Sequence, residues 1–386
     1  MKPANSIFSA LGTTIFTVMS QLAVEHRAIN LGQGFPDGNG PEDVRAQAAA
    51  FLNDQPNQYP PMMGVPELRD AVAAHAKRFC GLHVTRDEVM VTSGATEAIA
   101  ACLIGLTNPG DEVVLIEPLY DSYLPLVRLA GGIPKLVRLA PPRWELPRAE
   151  LAAAFSAKTK AIVLNSPMNP IGKVFTADEL SFIADLVKRH DAYAVCDEVY
   201  EHLTFDDHKH VPLMTLPGMG ERCLRIGSAG KTFSLTGWKV GYVTAAPALL
   251  QNAAKAHQFL TFTTPPNLQR AVAYGLSKDD GYFQTLADEL QQKRDVLTAG
   301  LRKASFDVPQ QPQGTYFVSA DFTPLGFQGD DAAFCRFLTT EVGVAAIPIS
   351  AFFEGGGPKN YVRFAFCKQD DVLAEALTRL AKLGTG

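Results

Sequence analysis

Six short, near-continuous runs of apolar and β-branched residues punctuate the middle of the chain, and each stops at polar residues. They are Glu88–Thr92, Glu112–Ile116, Ala161–Leu164, Tyr193–Cys196, Cys223–Ile226 and Val240–Thr244. Stretches with helical spacing separate them. Strands that do not alternate polar with apolar are buried on both faces, which requires a mainly parallel sheet covered by helices. The chain therefore reads as α/β. In such sheets ligands lie beyond the carboxyl ends of the strands. The unusual polar residues fall at those ends: Ser93 and Gly94, Glu117 and Tyr120, Asn165 and Asn169, Asp197 and Tyr200, Ser228 and Lys231.

At 386 residues the chain is long enough for two domains. We expect a large domain over residues 41–285. A smaller α+β domain over 286–386 begins within a long charged helix, Gly281–Lys303, and continues with strand-like Gly314–Val318, Val344–Ile347 and Tyr361–Phe366. Residues 1–40 read as an arm packed on the small domain. A net charge of −5 gives no basic footprint for nucleic acid or an anionic membrane. No apolar run reaches the ~18 residues of a membrane span. The six cysteines form no C-x-x-C pair and sit in apolar surroundings, which suits buried thiols and a cytoplasmic setting.

The segment Gly227–Tyr242 sets Lys231 in a tight Gly/Ser turn after a strand, with Lys239 eight residues on. Ser228-Ala-Gly-Lys231 matches the S-x-x-K of serine β-lactamases, but the companion elements are missing. Gly230-Lys231-Thr232 resembles the end of a P-loop, yet Arg225 stands where its first glycine belongs. What remains is an amine suited to forming a Schiff base. Asp197 ends a buried strand, where a carboxylate needs a cationic partner or caps a helix. Asn169 lies in a proline-stiffened turn, Asn165–Pro170. Ser93, Gly94, Ala95 and Thr96 sit where a strand becomes a helix, so their free N–H groups suit a phosphate or serve simply as a cap. Arg363 shares a strand face with Ala365, either at a solvated edge or as a carboxylate clamp. His202, His208 and His210 with Asp206 and Asp207 form a metal-like cluster, but the polar loop context predicts surface solvation and no metal. Gly32-Gln-Gly34 lacks the spacing and the helix of a dinucleotide fingerprint.

In order along the chain, Ile29–Asp37, Asn57–Pro60, Gly64–Arg69, Ser93–Glu97, Asn165–Pro170, Asp197–His202, the Lys231 segment and Val362-Arg-Phe resemble the class I/II aminotransferases of pyridoxal-phosphate fold type I. The likeness is strongest to the methionine aminotransferase and kynurenine aminotransferase (glutamine transaminase K) branch. It implies pyridoxal 5′-phosphate cycling with pyridoxamine phosphate. Lys231 would hold the cofactor by a Schiff base and carry the proton in catalysis. Asp197 would hold the pyridine nitrogen protonated, while Asn169 and Tyr200 bind the ring hydroxyl and Tyr120 stacks on the ring. Ser93, Gly94, Ala95, Ser228 and Lys239 would bind phosphate, with Tyr59 reaching in from the partner of an obligate homodimer. Arg363 would clamp the substrate α-carboxylate with Asn169 and the backbone of Gly34. Phe16, Tyr59, Tyr120 and Phe262 would line the side-chain pocket. Lys239 stands where many relatives have arginine. Thr263 replaces a histidine of some kynurenine enzymes.

The lack of an arginine for a second carboxylate disfavours aspartate, and the aromatic pocket suits methionine, phenylalanine, kynurenine or glutamine, with ping-pong transfer to a 2-oxo acid. Two alternatives use the same site: a cysteine-S-conjugate β-lyase, recognised by pyruvate and thiol release without an added oxo acid, and an N-succinyldiaminopimelate-type aminotransferase. A non-catalytic regulator would need a DNA-binding extension and a basic charge, and neither is present in this sequence.

Overall fold

The computed structural model describes residues 2–385. Its strands are β1 (Ile29–Asn30), β2 (Val89–Ser93), β3 (Glu112–Glu117), β4 (Ile133–Arg138), β5 (Thr159–Asn165), β6 (Tyr193–Asp197), β7 (Cys223–Ser228), β8 (Val240–Thr244), β9 (Phe317–Asp321), β10 (Val344–Ala345), β11 (Ile347–Pro348) and β12 (Tyr361–Ala365). Seven of them form one sheet in the order β2-β8-β7-β6-β5-β3-β4. All pairings among β7, β6, β5, β3 and β4 are parallel, and β8 alone runs antiparallel, to both β2 and β7. Every residue of β3 and β7 is buried, as unalternating strands require. The edge strand β4 was not anticipated, because Pro134 and Lys135 break its apolar run.

The reversed strand matters for the site. Because β8 starts where its neighbours end, Lys239 just before it stands at the same sheet edge as Ser93, Asp197 and Ser228. Two glycines permit the tight crossing there. A Cβ on Gly241 would stand 2.6 Å from the Gly94 carbonyl carbon, and one on Gly227 would stand 2.2 Å from the Tyr242 ring. The helix after β2, Gly94–Leu106, packs against Pro247–Leu260. Its Gly105 lies against the Asn252 carbonyl, where a Cβ would fall 2.5 Å from the oxygen.

A second, three-stranded antiparallel sheet has the order β11-β12-β9. The anticipated long helix runs from Asp280 to Lys303, with Asp279 capping the Tyr282 N–H. The anticipated strand from Gly314 begins only at Phe317, since Thr315 adopts a left-handed φ of +68°. The run Val344–Ile347 is divided: β10 pairs in parallel with β1, while β11 joins β12. The pairing with β1 ties the N-terminal segment to the last third of the chain. Leu31 continues the tie, accepting the Ala365 N–H at 2.7 Å. All six cysteines are free. Among the described residues no helix is long and apolar enough to cross a membrane.

Arg225, met in the sequence only as a failed P-loop glycine, is a central brace. Its guanidinium is fully enclosed and donates to Glu198 at 2.6 Å and to Glu201. His210 reaches the same Glu198 at 2.9 Å, and His202 meets His75 at 2.7 Å within a cluster of Phe79 and Phe283 rings. The surface reading of this histidine group therefore holds only for His208. His210 is drawn inward because the buried Glu198 beside it needs donors, His202 is held by His75, and Asp206 pairs with Arg294. Burial pushes His75 down to about 3, so it is neutral in the fold. Glu201 is held at about 2: burial opposes its charge, but Arg225 and the other groups around it together outweigh that. We expect Arg225→Ala, which strands two buried carboxylates, to cost about 3–5 kcal/mol of unfolding free energy; denaturant titration measures it.

Candidate active site

β7 ends at Ser228, and one turn of helix, Ala229–Thr232, follows in place of an open loop. That turn points Lys231 into a cavity of about 380 Å³ at the carboxyl edge of the large sheet. The same cavity is lined by Phe16, Gly34, Gly94, Ala95, Tyr120, Asn169, Asp197, Tyr200, Ser228, Lys239 and Arg363. Lys231 Nζ donates to the Tyr316 hydroxyl at 2.7 Å, and that hydroxyl donates to the Gly34 carbonyl at 2.6 Å. Burial lowers the amine from its usual 10.5 to about 8, with Cys367 and Asp197 opposing the shift and Arg363 adding to it.

Asp197, at the end of β6, is buried without an ion pair among the described residues. Its Oδ2 accepts from Tyr123 at 2.5 Å, and Oδ1 accepts from the Val199 N–H at 3.4 Å. Burial raises its carboxyl above the usual range against those donors. Asn165 ties the neighbouring strand ends together, donating to the Asp197 carbonyl at 2.9 Å and accepting the Asn169 N–H at 2.8 Å. Asn169 thereby holds its own Oδ1 toward Arg363 Nη1, 3.0 Å away.

Arg363 is 1% exposed on β12, the central strand of the small sheet, so the solvated-edge alternative is excluded. It also donates to the Gly32 carbonyl at 2.6 Å, and its guanidinium lies 4.0 Å from the Phe317 ring centroid. Its Nε is buried without a partner. Burial lowers this group to about 10. A buried cation in the wall of a cavity is suited to a carboxylate. The carbonyl beside it is Gly32's, while the Gly34 carbonyl accepts from Tyr316 and Lys231.

At the opposite end, the Gly94 turn has φ +75°, and a Cβ there would stand 3.2 Å from Lys239 Nζ. The helix N-terminus, Lys239 and Ser228 thus surround one space, an arrangement suited to a dianion. Ser93 differs from its assignment. It does not line the cavity, and its N–H is bonded to Glu97 at 3.0 Å, while Thr96 lines the space.

Tyr59, expected to act in a partner's site, and Phe262 both lie at the surface of this chain. Tyr59 is 84% exposed and stacks edge-on with Phe262 at 5.6 Å, and neither lines this chain's cavity. The Phe262 side chain is carried away by a left-handed turn, φ +65°, after the helix ending at Leu260. The residues that sequence reasoning missed are Tyr123, Tyr316, Phe317, Asp121 and Gln33. Tyr123 alone carried a signal, as a second tyrosine beside Tyr120 at the carboxyl edge of β3.

The aminotransferase class I and II family model matches residues 26–380. The chain is 43% identical over 383 residues to a probable N-succinyldiaminopimelate aminotransferase of Mycobacterium tuberculosis, covering 96% of each. A solved structure of the Mycobacterium tuberculosis N-succinyldiaminopimelate aminotransferase superposes with a TM-score of 0.95, covering 99% of this chain and all of that one. The chain is also 39% identical to the methionine aminotransferase of Escherichia coli, covering 97% of this chain and 96% of that protein. It is 40% identical to a kynurenine–oxoglutarate transaminase of Dictyostelium discoideum, covering 97% and 95%.

Removing the Tyr123 hydroxyl leaves Asp197 one backbone donor. Tyr123→Phe should raise the Asp197 pKa further in the cofactor-free protein, read from the pH titration of its 13Cγ resonance.

Proposed function

The chain belongs to the class I and II aminotransferases, pyridoxal-phosphate enzymes that move an amino group from an amino acid to a 2-oxo acid, and from that premise we propose how its residues divide the work. The observation that carries the reading is the convergence of Lys231, Asp197 and Arg363 in one cavity. Its donor set fits the cofactor. Asp197 is a buried carboxylate without a cation, suited to a protonated ring nitrogen. Lys239, Ser228 and the Gly94 helix start suit the phosphate. When bound, the group supplies an electron sink for the pair left by a breaking bond at the substrate's Cα.

Arg363 binds the substrate α-carboxylate, and the neighbouring Asn169 fixes the orientation. Asp197 keeps its negative charge against the ring nitrogen, with Tyr123 holding it in place. Tyr200 and Tyr120 bound the ring's space. Lys231, as a neutral amine, takes the proton from Cα onto Nζ and holds it for return. Tyr59 and Phe262, exposed here, complete the site of a second subunit, so we assign a homodimer.

For the substrate we propose an amino acid of the N-succinyldiaminopimelate type, supported by the 43% identity over 96% of each chain. A second reading, a neutral methionine-, phenylalanine-, kynurenine- or glutamine-like donor, is favoured by the lining. Among the described lining residues the cations are Lys231, Lys239 and Arg363 alone, and Phe16, Tyr120 and Phe317 supply aromatic surface.

Stopped-flow spectra of the pyridoxal form with single donors decide between them. The first reading expects conversion to the pyridoxamine form to be fastest with N-succinyldiaminopimelate; faster conversion by the neutral donors supports the second. Lys231→Ala should lower that conversion by about 10²–10⁴-fold. Because a lowered amine pKa leaves more neutral base as pH rises, the wild-type proton-transfer rate should climb through about pH 8 and then level.

A further inference from the structure

We infer that Tyr316 is a positioning residue for the base: its hydroxyl, committed to the Gly34 carbonyl, can only accept from the freed Lys231, so it anchors the amine without capping its lone pair. This rests on Lys231 being the group that takes the Cα proton.

The inference follows from counting protons. The Tyr316 hydroxyl has one hydrogen and lies 2.6 Å from the Gly34 carbonyl oxygen, which can only accept. That hydrogen is therefore committed, and the Tyr316 oxygen must accept from Lys231 across 2.7 Å. The Gly34 carbonyl lies 3.4 Å from the same Nζ, but the two oxygens stand in nearly one direction from it, so a single N–H points at both. A neutral amine keeps its second N–H and its lone pair for the other side. Were the tyrosine to donate to the lysine instead, it would cap the base.

Two packing facts hold the anchor in place. Tyr316 is 1% exposed and its ring meets Tyr200 edge-on at 5.2 Å, so the hydroxyl has little freedom. Gly34 has to be glycine here, since a Cβ would stand 2.4 Å from Phe317 Cζ and push the carbonyl away. In the step itself the Cα–H bond breaks, its electron pair stays with the substrate, and the proton bonds to the Nζ lone pair. The resulting ammonium lies 5.5 Å from the Tyr200 ring centroid, within reach of that ring's π cloud.

The test is Tyr316→Phe in the holoenzyme, followed by single-turnover loss of a Cα proton or deuteron across about pH 7–10. We expect the rate to fall by about tenfold or more at every pH, with a larger isotope effect, while cofactor absorbance and KM stay at wild-type values. In the cofactor-free chain the Lys231 13Cε resonance, assigned with Lys231→Ala, should titrate no higher in Tyr316→Phe than in wild type, because losing an acceptor cannot favour the ammonium. A rate within about twofold of wild type overturns the inference. So does recovery at high pH, a raised Lys231 pKa, or loss of cofactor absorbance together with rate, which would make the tyrosine structural. If instead Lys231→Ala keeps the proton-transfer rate, the base assignment itself fails, whatever Tyr316→Phe does.

Discussion

Three carboxylates lie within the five residues that begin at the last position of β6, and all of them are buried: Asp197, Glu198 and Glu201. Enclosing that much negative charge is costly unless every oxygen finds a donor. The two glutamates are met by Arg225 from the neighbouring strand, with His210 and Tyr242 filling in. Asp197 is kept out of that pairing. It receives a tyrosine and a backbone N–H, enough to fix its position but not to neutralise it. Structural and chemical carboxylates are thus sorted by their partners, Arg225 for the two glutamates and neutral donors for Asp197.

The site then depends on joining two sheets. Lys231, Asp197 and Lys239 come from the large sheet's carboxyl edge, whereas Arg363 belongs to β12 of the small one. Asn169 is the joint, fixed to the large sheet through Asn165 and bonded to Arg363 across the gap. The N-terminal segment closes the remaining side. It pairs with β10, passes Leu31 along β12 and presents Gly32 to Arg363 and Gly34 to Lys231.

The strand ends and most polar residues at them were legible in the sequence because they are local. A run of apolar residues ending in Asp, Ser or Lys reads the same before and after folding. Tyr123, Tyr316 and Arg225 were not legible, since their roles are pairings across the fold: Tyr123 meets Asp197 at a separation of 74 residues, and Lys231 meets Tyr316 at 85. The histidines near residue 202 misled for a related reason. Loop polarity predicts solvent, but buried partners nearby override it. Ser93 was drawn off by a backbone detail, the bond of its N–H to Glu97. The choice of substrate rests on surfaces that a single chain leaves open.

Lys239 has a left-handed backbone, φ +54°, which costs a residue other than glycine or asparagine about 1–3 kcal/mol. A search for stabilising changes that scored backbone comfort alone would select glycine at this position. It would remove the cation that faces the helix start at Gly94. Thermal robustness and anion affinity therefore compete at a single residue, and the lysine there marks a compromise settled in favour of chemistry.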